Sequence, residues 1–267
     1  MNARIETGFR DVDGTGETQP FADYLGHVNS IESVAAGKRT RAALLGLGDD
    51  AHAIDVGCGL GDDARALSRL VGPRGRVVGV DASAAMLERA RARRQAEDGP
   101  VEFIAGDAHQ LPFDTDSFHA ARVERTLQHL DDPARVVGEL VRVTRPGGIV
   151  LAHEPDWGTL VCTGRPPALV RAMLAAAETQ IRHPWVGREL TGMFVDAGLT
   201  DVEIVPEVLL QRDLEIDIVI DVPLLATDLR AQRHQGVDEL LAATREDSRA
   251  GRAVAALTLF TVYGRVP

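Results

Sequence analysis

The chain has 267 residues, 45% of them hydrophobic, and 40 acidic against 29 basic residues give it a net charge of −11. This length can bury a sizeable core without disulfides, and the acidity argues against nucleic acid as a partner, because phosphate contacts need clustered positive charge. The two cysteines and scattered histidines lack metal-ligand spacing, and no apolar run suits a signal peptide or a membrane span. We therefore expect a cytoplasmic protein without a metal or a membrane partner.

The N-terminal part divides into two segments. Residues 1–19 are polar and rich in Gly, Thr and acids, which predicts a flexible tail. From residue 20 to 47, apolar residues such as Tyr24, Leu25 and Val28 recur at helical spacing and predict two helices. Around Tyr24 two interpretations stay open: a helix that closes over a binding edge, or one packed on a sheet face.

The central motif is Gly57-Cys58-Gly59-Leu60-Gly61, between an apolar strand predicted over residues 52–56 and a helical run. Glycines allow a tight turn and a close approach of the backbone to a ligand. The helix that follows offers free N–H groups at its start. The motif therefore predicts a nucleotide-type binding turn.

The chemical class of the ligand that this turn binds can be inferred from the residues around it. The third glycine comes one residue earlier than in the dinucleotide fingerprint, and the acidic pair Asp62-Asp63 would repel a pyrophosphate. A second strand, predicted over residues 76–80, ends at Asp81, whose carboxylate can accept hydrogen bonds from both hydroxyls of a ribose. These features favour a nucleoside without phosphates, especially a cationic one.

The rest of the chain alternates predicted strands and helices up to Trp157, which favours a parallel sheet. Ser83 is expected to cap the helix that follows it, and Pro133 to lie in the first turn of another. Helices are predicted over 84–97 and 133–144. Strands are predicted over 101–105, 118–123 and 149–153. Beyond Trp157 we predict helices over 166–181 and 187–197, strands over 202–208 and 255–263, and a mostly helical stretch between those strands.

Several motifs together resemble those of class I S-adenosylmethionine-dependent methyltransferases. Asp55 to Gly61 with Gly79-Val80-Asp81 resembles the first two motifs, and Gly106-Asp107-Ala108 resembles the adenine-binding turn. The segment from 118 to 133 resembles the fourth strand and its exit, and 142–148 the turn before the fifth strand. The resemblance runs in family order over residues 50–155.

The resemblance implies an α/β fold: a Rossmann-like, doubly wound, seven-stranded and mostly parallel sheet, with helical cap segments and a last strand antiparallel to its neighbours. It also implies a single methyltransferase domain over residues 20–267 after the tail. Within it we expect an N-terminal helical cap (20–47), a cofactor-binding core (48–160) and substrate-side helices with the last two strands (161–267). An insertion over 213–250 is expected to lie over the active-site side.

The resemblance implies S-adenosylmethionine as the cofactor. Asp81 would hold the ribose, Asp107 and the Ala108 backbone the adenine, and Glu124 and Arg125 the ammonium and carboxylate groups of the methionine part. Asp55 would contact the cofactor or orient the turn. The predicted cofactor-binding residues are Asp55, Gly57, Cys58, Gly59, Gly61, Asp81, Ala82, Gly106, Asp107, Ala108, Glu124 and Arg125.

The acceptor site is expected at the rim beyond the fourth and fifth strands. A histidine or carboxylate there could act as general base, and His129, Glu154 and Asp156 are the catalytic candidates. The predicted substrate-binding residues are Tyr24, His153, Trp157, Trp185 and Arg188. Period-two alternation also fits His153 as a core residue, and Arg188 as a surface residue.

The predicted function is methyl transfer to a small organic molecule, with oxygen, nitrogen and carbon acceptors all open, in secondary metabolism. The cofactor motifs concern binding, so two alternatives remain: a non-methylating reaction such as a cyclisation, and a non-catalytic binding module. Whether the chain forms a homodimer is also left open.

Overall fold

The computed structural model describes residues 8–214 and 222–267. Seven strands form one sheet in the order β3-β2-β1-β4-β5-β7-β6. The strands β1 to β5 are parallel, whereas β7 runs antiparallel to both β5 and β6. This arrangement confirms the predicted fold class. The strands are β1 (His52–Val56), β2 (Arg76–Asp81), β3 (Val101–Ala105), β4 (Phe118–Glu124), β5 (Thr144–Cys162), β6 (Thr200–Gln211) and β7 (Ala255–Arg265).

Helices cover both faces of the sheet. Because side chains alternate along a strand, Ile54 of β1 faces one core and its neighbour Ala53 the other. The first core includes helices α5 and α7, and the second α2, α3 and α4. The helices are α1 (Gln19–Ser30), α2 (Glu32–Leu44), α3 (Asp62–Ser68), α4 (Ala84–Ala92), α5 (Pro133–Val143), α6 (Pro167–Glu178), α7 (Val186–Asp196), α8 (Val222–Ala231) and α9 (Val237–Arg249).

Local signals place the helix starts as expected. The Ser83 hydroxyl accepts a hydrogen bond from Met86 N at the start of α4, and Pro133 occupies the first turn of α5. The Asp132 side chain caps α5 by accepting from Arg135 N. Both predicted positions are confirmed, since capping depends on residues next to each other in sequence.

The fifth strand is longer than the sequence predicts. It continues to Cys162, past the edge where the parallel strands end, and pairs there with β7, which pairs with β6. Leu160, Leu209 and Leu257 of this antiparallel extension pack into a separate core with α6, α8 and α9. The sequence predicts a strand only over 149–153. The extension could not be predicted, because it is buried on one side by helices that are distant in sequence.

The segment predicted as an insertion over the active site, 213–250, supplies α8 and α9. Residues 215–221 of this prediction lie outside the described residues. In the described part, these helices pack against α6 and the antiparallel extension, and none of their residues lines the large cavity at the sheet edge. The prediction of their position differs from the structure, because burial of their leucines is satisfied by α6.

The described part of the predicted tail, residues 8–19, packs on the domain. Val12 is buried, and the Phe9 ring meets the Phe21 ring edge-on at 5.1 Å. The Asp13 carboxylate accepts hydrogen bonds from Ser83 Oγ and Ala84 N. The expectation of a flexible tail therefore does not hold for these residues, whose polar composition masked two apolar anchors, the buried Val12 and the half-buried Phe9.

Within the described ranges, no helix is long and apolar enough to cross a membrane. In those same ranges, no group of histidine, cysteine or acidic side chains is arranged to hold a metal ion.

Candidate active site

A cavity of about 480 Å³ opens at the carboxyl ends of the parallel strands. It lies where strand order reverses between β1 and β4, the place at which open α/β sheets bind ligands. The glycine half is lined by Gly57, Cys58, Gly59, Asp81, Ala82, Gly106, Asp107 and Ala108. The aromatic half is lined by Phe9, Arg10, Tyr24, Arg125, Gln128, His129 and Trp157.

The glycine turn is built by backbone conformation. Gly57, Gly59 and Gly61 all have positive φ, at 71°, 51° and 73°. A Cβ on Gly57 would collide with the Thr126 side chain, and one on Gly61 with the Phe103 ring. A Cβ on Gly59 would meet only Leu25, at 3.4 Å. Gly59 therefore leaves room on the cavity side, while Gly61 serves packing and does not line the cavity.

Asp81 lies beside this turn at the end of β2. Its Oδ2 accepts a hydrogen bond from Gly59 N at 2.8 Å, and its Oδ1 accepts from Ser83 N at 2.9 Å. Burial raises the pKa of the Asp81 carboxyl, against the lowering effect of these N–H donors. Each carboxylate oxygen keeps a further lone pair for a ligand hydroxyl.

Asp107 lines the glycine half from the turn after β3. Its Oδ1 accepts from His109 N at 2.8 Å, which lowers the pKa of the Asp107 carboxyl. The other oxygen, Oδ2, is not used by that bond. Asp107 is thus held in place by His109 while keeping an acceptor for a ligand amino group.

A group of buried charges lies beneath the glycine turn. Arg122 is 1% exposed, with its Nε 3.3 Å from Asp55, and it pairs with Glu124. Burial raises the pKa of Asp55 to about 7, although Arg122 lowers it. Asp55 does not line the cavity. Its place under the turn fits the interpretation that it orients the turn.

Glu124 lines the cavity but is already engaged by cations. Its two oxygens accept from Arg41 Nη2 and Nε, each at 3.1 Å, and Lys38 lies 3.4 Å away. Burial opposes ionisation, yet Lys38 and Arg122 hold the pKa of Glu124 well below its usual range. Glu124 is therefore an anion within a balanced network rather than a free partner for an ammonium group.

The aromatic half is formed by side chains from distant parts of the chain. The Phe9 ring lies 6.0 Å from the Tyr24 ring and 5.6 Å from the His129 ring. Trp157 Nε1 donates to Gln128 Oε1 at 2.7 Å. This bond fixes the indole at the cavity wall, where its face can contact a flat molecule.

The loop after β4 carries Arg125, Gln128 and His129 into the cavity. The Glu154 carboxylate holds this loop by accepting from Thr126 N at 2.7 Å and Leu127 N at 2.8 Å. Burial raises the pKa of Glu154 to about 8, so it is largely protonated at neutral pH. Glu154 does not line the cavity and therefore is not placed as a general base.

His129 is the one catalytic candidate that the structure places in the cavity. Burial, together with the charges of Arg10 and Arg125, lowers the pKa of His129 to about 3. Its buried Nδ1 has no hydrogen-bond partner among the described residues. The imidazole is therefore neutral, a hydrogen-bonding group but a weak proton acceptor.

Three predicted rim residues lie outside the cavity. Asp156 is 1% exposed, and both of its oxygens accept from the Arg188 guanidinium. Arg188 lies over the Trp185 ring at 5.4 Å, and Trp185 Nε1 donates to Glu178 at 2.6 Å. These residues satisfy one another at the start of α7, so their sequence neighbourhood misled the acceptor-site prediction.

His153 is also outside the cavity. It is 2% exposed, and its Nδ1 lies 2.8 Å from Thr261 Oγ1 on β7. Burial lowers its pKa to about 3. Of the two interpretations of His153, the structure agrees with the core residue and not with the substrate-binding one.

The sequence missed several cavity residues. Phe9 and Arg10 lie in the predicted tail, and neither Lys38 nor Gln128 is among the predicted site residues, although both line the cavity. The apolar pair formed by Phe9 and Val12 was the one available signal that the tail packs.

The donor set fits S-adenosylmethionine. Gly59 leaves backbone room, Asp81 offers carboxylate lone pairs, and Asp107 follows at the next strand end. Five acidic residues line the cavity, which suits a cationic nucleoside and disfavours phosphate. They are Asp62, Asp63, Asp81, Asp107 and Glu124. Asp81 would bind the ribose, and Asp107 with Ala108 the adenine.

Sequence and structure comparisons find known proteins that are similar to this chain. Residues 54–152 match the family model described as a methyltransferase domain. An uncharacterized 37.1 kDa protein in transposon TN4556 of Streptomyces fradiae is 34% identical over 198 residues. That match covers 72% of this chain but only 57% of the relative.

Two further matches extend the comparison. A demethylmenaquinone methyltransferase of Staphylococcus aureus is 29% identical over 197 residues, or 68% of this chain and 81% of that protein. The structure of YcgJ from Bacillus subtilis superposes with a TM-score of 0.61 at 19% identity, covering 86% of this chain and 98% of that one. By these matches the chain carries a methyltransferase domain over residues 54–152, and S-adenosylmethionine is its cofactor.

Proposed function

We propose that this protein transfers a methyl group from S-adenosylmethionine to a small, flat organic molecule. The observation that carries the proposal is the single cavity in which Phe9, Tyr24 and Trp157 lie beside the glycine half. A cavity of about 480 Å³ lies in the range of small-molecule sites. A cavity of this size suits a small molecule better than a folded protein or a duplex.

The aromatic wall supports a ring-containing acceptor, of the kind found among secondary metabolites. The likeness to a demethylmenaquinone methyltransferase supports the same class, since that name denotes a quinone-type acceptor. Aromatic side chains bind flat molecules through offset stacking, which gives about 0.5 to 1.5 kcal/mol beyond area burial. The atom that receives the methyl group is not part of the proposal.

The cofactor, when bound, supplies an electrophilic methyl group on its sulfonium sulfur. The residues of this chain would act mainly by position: Asp81 and Asp107 fix the nucleoside, and the aromatic half aligns the acceptor. The cavity wall also excludes water from the reacting groups. Neutral His129 would act on an acceptor hydroxyl or amine as a hydrogen-bonding group rather than remove its proton.

Isotope transfer tests this proposal. The full chain is incubated with methyl-labelled S-adenosylmethionine and a small-metabolite extract, and labelled products are sought by mass spectrometry. We expect a labelled small molecule with this chain and much less label with the Asp81→Ala variant, which lacks the ribose carboxylate.

The result also separates the two alternatives. Tight binding of S-adenosylhomocysteine in calorimetry, with no label in any product, would exclude methyl transfer. A changed but unlabelled metabolite would then indicate a reaction such as a cyclisation, and an unchanged extract a binding module.

A further inference from the structure

The charges that line the cavity are unevenly paired. Each of the five cavity carboxylates has a partner among the described residues. Asp62 pairs with Arg65, Asp63 with Lys38, Asp81 with backbone N–H groups, Asp107 with His109, and Glu124 with Arg41. Asp62, Asp63 and Glu124 thus pair with cationic side chains, whereas the backbone N–H groups that bind Asp81 carry no charge, so the glycine half still suits a cationic cofactor.

The Arg125 side chain differs from these carboxylates because it has no partner within residues 8–214 and 222–267. Its guanidinium forms no hydrogen bond or ion pair with any residue in the described part of the chain, although it borders the cavity. Its backbone has φ of 50°, a conformation that residues other than glycine rarely adopt. Such strain persists only where surrounding structure imposes it and is concentrated at functional sites.

The surrounding contacts do impose it. Arg125 N donates to His153 O at 2.8 Å, and Glu154 holds the next two N–H groups of the same loop. The loop is thus fixed on both sides of Arg125. A strained backbone conformation is therefore maintained at Arg125, whose cationic side chain has no partner among the described residues.

A second cation lies on the same side. The Arg10 guanidinium has one hydrogen bond among the described residues, a long one of 3.4 Å to the Gln180 carbonyl. Arg10 and Arg125 both act electrostatically on His129. Both arginines line the aromatic half, and the ring of Phe9, next to Arg10, lies 5.6 Å from the His129 ring in the loop that carries Arg125.

The cofactor cannot balance this charge. It has one carboxylate against an ammonium and a sulfonium group, so it adds net positive charge. Its carboxylate can pair with one arginine at most, and the other remains unmatched. Arg10 is exposed to solvent, whereas Arg125 is half-buried, so the lack of a partner is more costly for Arg125.

We propose that the methyl acceptor is an anion whose carboxylate or phosphate group is bound by Arg125 together with Arg10, while its flat body packs against Phe9, Tyr24 and Trp157. This inference rests on the proposed function and names the acceptor class. A guanidinium binds either group through two parallel hydrogen bonds. Arg125 is thus a specificity residue for the acceptor.

Binding of matched probes tests the anion site. Calorimetry on the full chain saturated with S-adenosylhomocysteine compares 4-hydroxybenzoate, phenyl phosphate and the neutral 4-hydroxybenzamide. We expect at least one anion to bind tenfold or more tightly than the amide. The tighter of the two anions identifies whether the group is a carboxylate or a phosphate.

Two variants assign the effect to Arg125. Arg125→Asn removes the guanidinium but suits the left-handed backbone, because asparagine tolerates positive φ. It should abolish the preference for the anion and leave the affinity for S-adenosylhomocysteine within threefold. Arg182→Asn is the matched control: Arg182 pairs with Asp131, does not line the cavity, and its loss should leave the preference intact.

Three results would overturn the anion site: equal binding of anion and amide, an unchanged preference in Arg125→Asn, or a tenfold loss of S-adenosylhomocysteine affinity with the preference retained. The last result would assign Arg125 to the cofactor carboxylate.

The proposed function fails by a different readout. After anion exchange of the metabolite extract, label in the acidic fraction supports the anion site, and label only in the neutral fraction overturns it. Absence of label in every fraction, with anion binding retained, would refute methyl transfer and still support the anion site.

Discussion

The glycine half and the aromatic half of the cavity are built by different means. The glycine half depends on the backbone of consecutive strand ends, with Gly57, Gly59 and Asp81 close in sequence to the strands that place them. The aromatic half joins side chains separated by more than a hundred residues, such as Phe9 and Trp157. The first can be inferred from a motif, whereas the second exists only after the chain folds.

The two halves meet at one contact. Gly57 lies against the Thr126 side chain, which belongs to the loop that carries Arg125 and His129. Glu154 in β5 holds that loop from below. The comparison predicts that backbone changes will damage the glycine half, and that side-chain changes will alter the aromatic half without disturbing cofactor affinity.

The largest effect is expected from Gly57→Ala. Alanine at this position would have to adopt a φ of 71°, which residues with a Cβ rarely do. Its Cβ would also collide with the Thr126 side chain. We expect a loss of about 2 to 4 kcal/mol in the free energy of unfolding, measured in urea, together with the loss of S-adenosylhomocysteine binding.

Gly138→Ala is the matched control for that change. Gly138 lies within α5, and a Cβ there meets no atom within 4 Å. It should stabilise the protein by up to about 1 kcal/mol, since alanine favours helix. Equal stability of the two variants would refute the steric account of the glycine turn.

The second effect concerns Asp81. Asp81→Ala removes an acceptor for Gly59 N and the proposed ribose contacts. Charged hydrogen bonds contribute about 1.5 to 3 kcal/mol each, so calorimetry should show S-adenosylhomocysteine affinity lowered about 10- to 100-fold. Glu97→Gln, an exposed change elsewhere, should leave it unaltered. Wild-type affinity in Asp81→Ala would remove the ribose assignment.

A smaller effect is expected in the aromatic half. Trp157→Phe keeps a ring but loses the hydrogen bond to Gln128. The Kd of a bound anionic probe should rise about fivefold, corresponding to about 1 kcal/mol, with unchanged S-adenosylhomocysteine affinity. Trp185→Phe, outside the cavity, should change neither value. If Trp185→Phe has the larger effect on probe binding, the boundary of the aromatic half is wrong.

A last prediction concerns the pH dependence of stability and not ligand binding. Glu154 is buried with its pKa raised from 4.5 to about 8, so the folded state binds its proton more tightly than the unfolded state. Its contribution is complete below about pH 4.5 and is lost as pH rises through about 8.

Glu154→Gln tests this sign. The amide keeps the acceptor oxygen for Thr126 N and Leu127 N but cannot ionise. Relative to the wild type, we expect the variant to gain up to about 1.4 kcal/mol for each pH unit between pH 5 and pH 8 in denaturant titrations. A difference that is constant with pH would show that Glu154 is ionised in the folded protein.

The core fold was predictable because its signals are local. Alternating strands and helices, the Ser83 cap and the glycine turn each depend on residues adjacent in sequence. The length of β5 was not predictable, because its extension beyond Trp157 is stabilised by pairing with β7 and by packing under α6.

The candidate site divides in the same way. Glu154, Asp156 and Arg188 lie near the predicted rim in sequence, yet their side chains are used within the protein. Phe9 and Arg10 lie in a segment whose composition predicts a tail, yet they line the cavity. Strand alternation gives the face of a residue but not the partner that occupies its polar atoms.

By itself, the sequence determined the parallel sheet, the glycine turn and the acid at the end of β2, and hence the cofactor. Backbone geometry at strand ends is set by neighbouring residues, so a motif is sufficient. Only the tertiary structure decided which charges remain unpaired and which rings face the cavity. These depend on contacts between distant segments, because an ion pair such as Arg41 with Glu124 forms only when the folded chain brings both partners together.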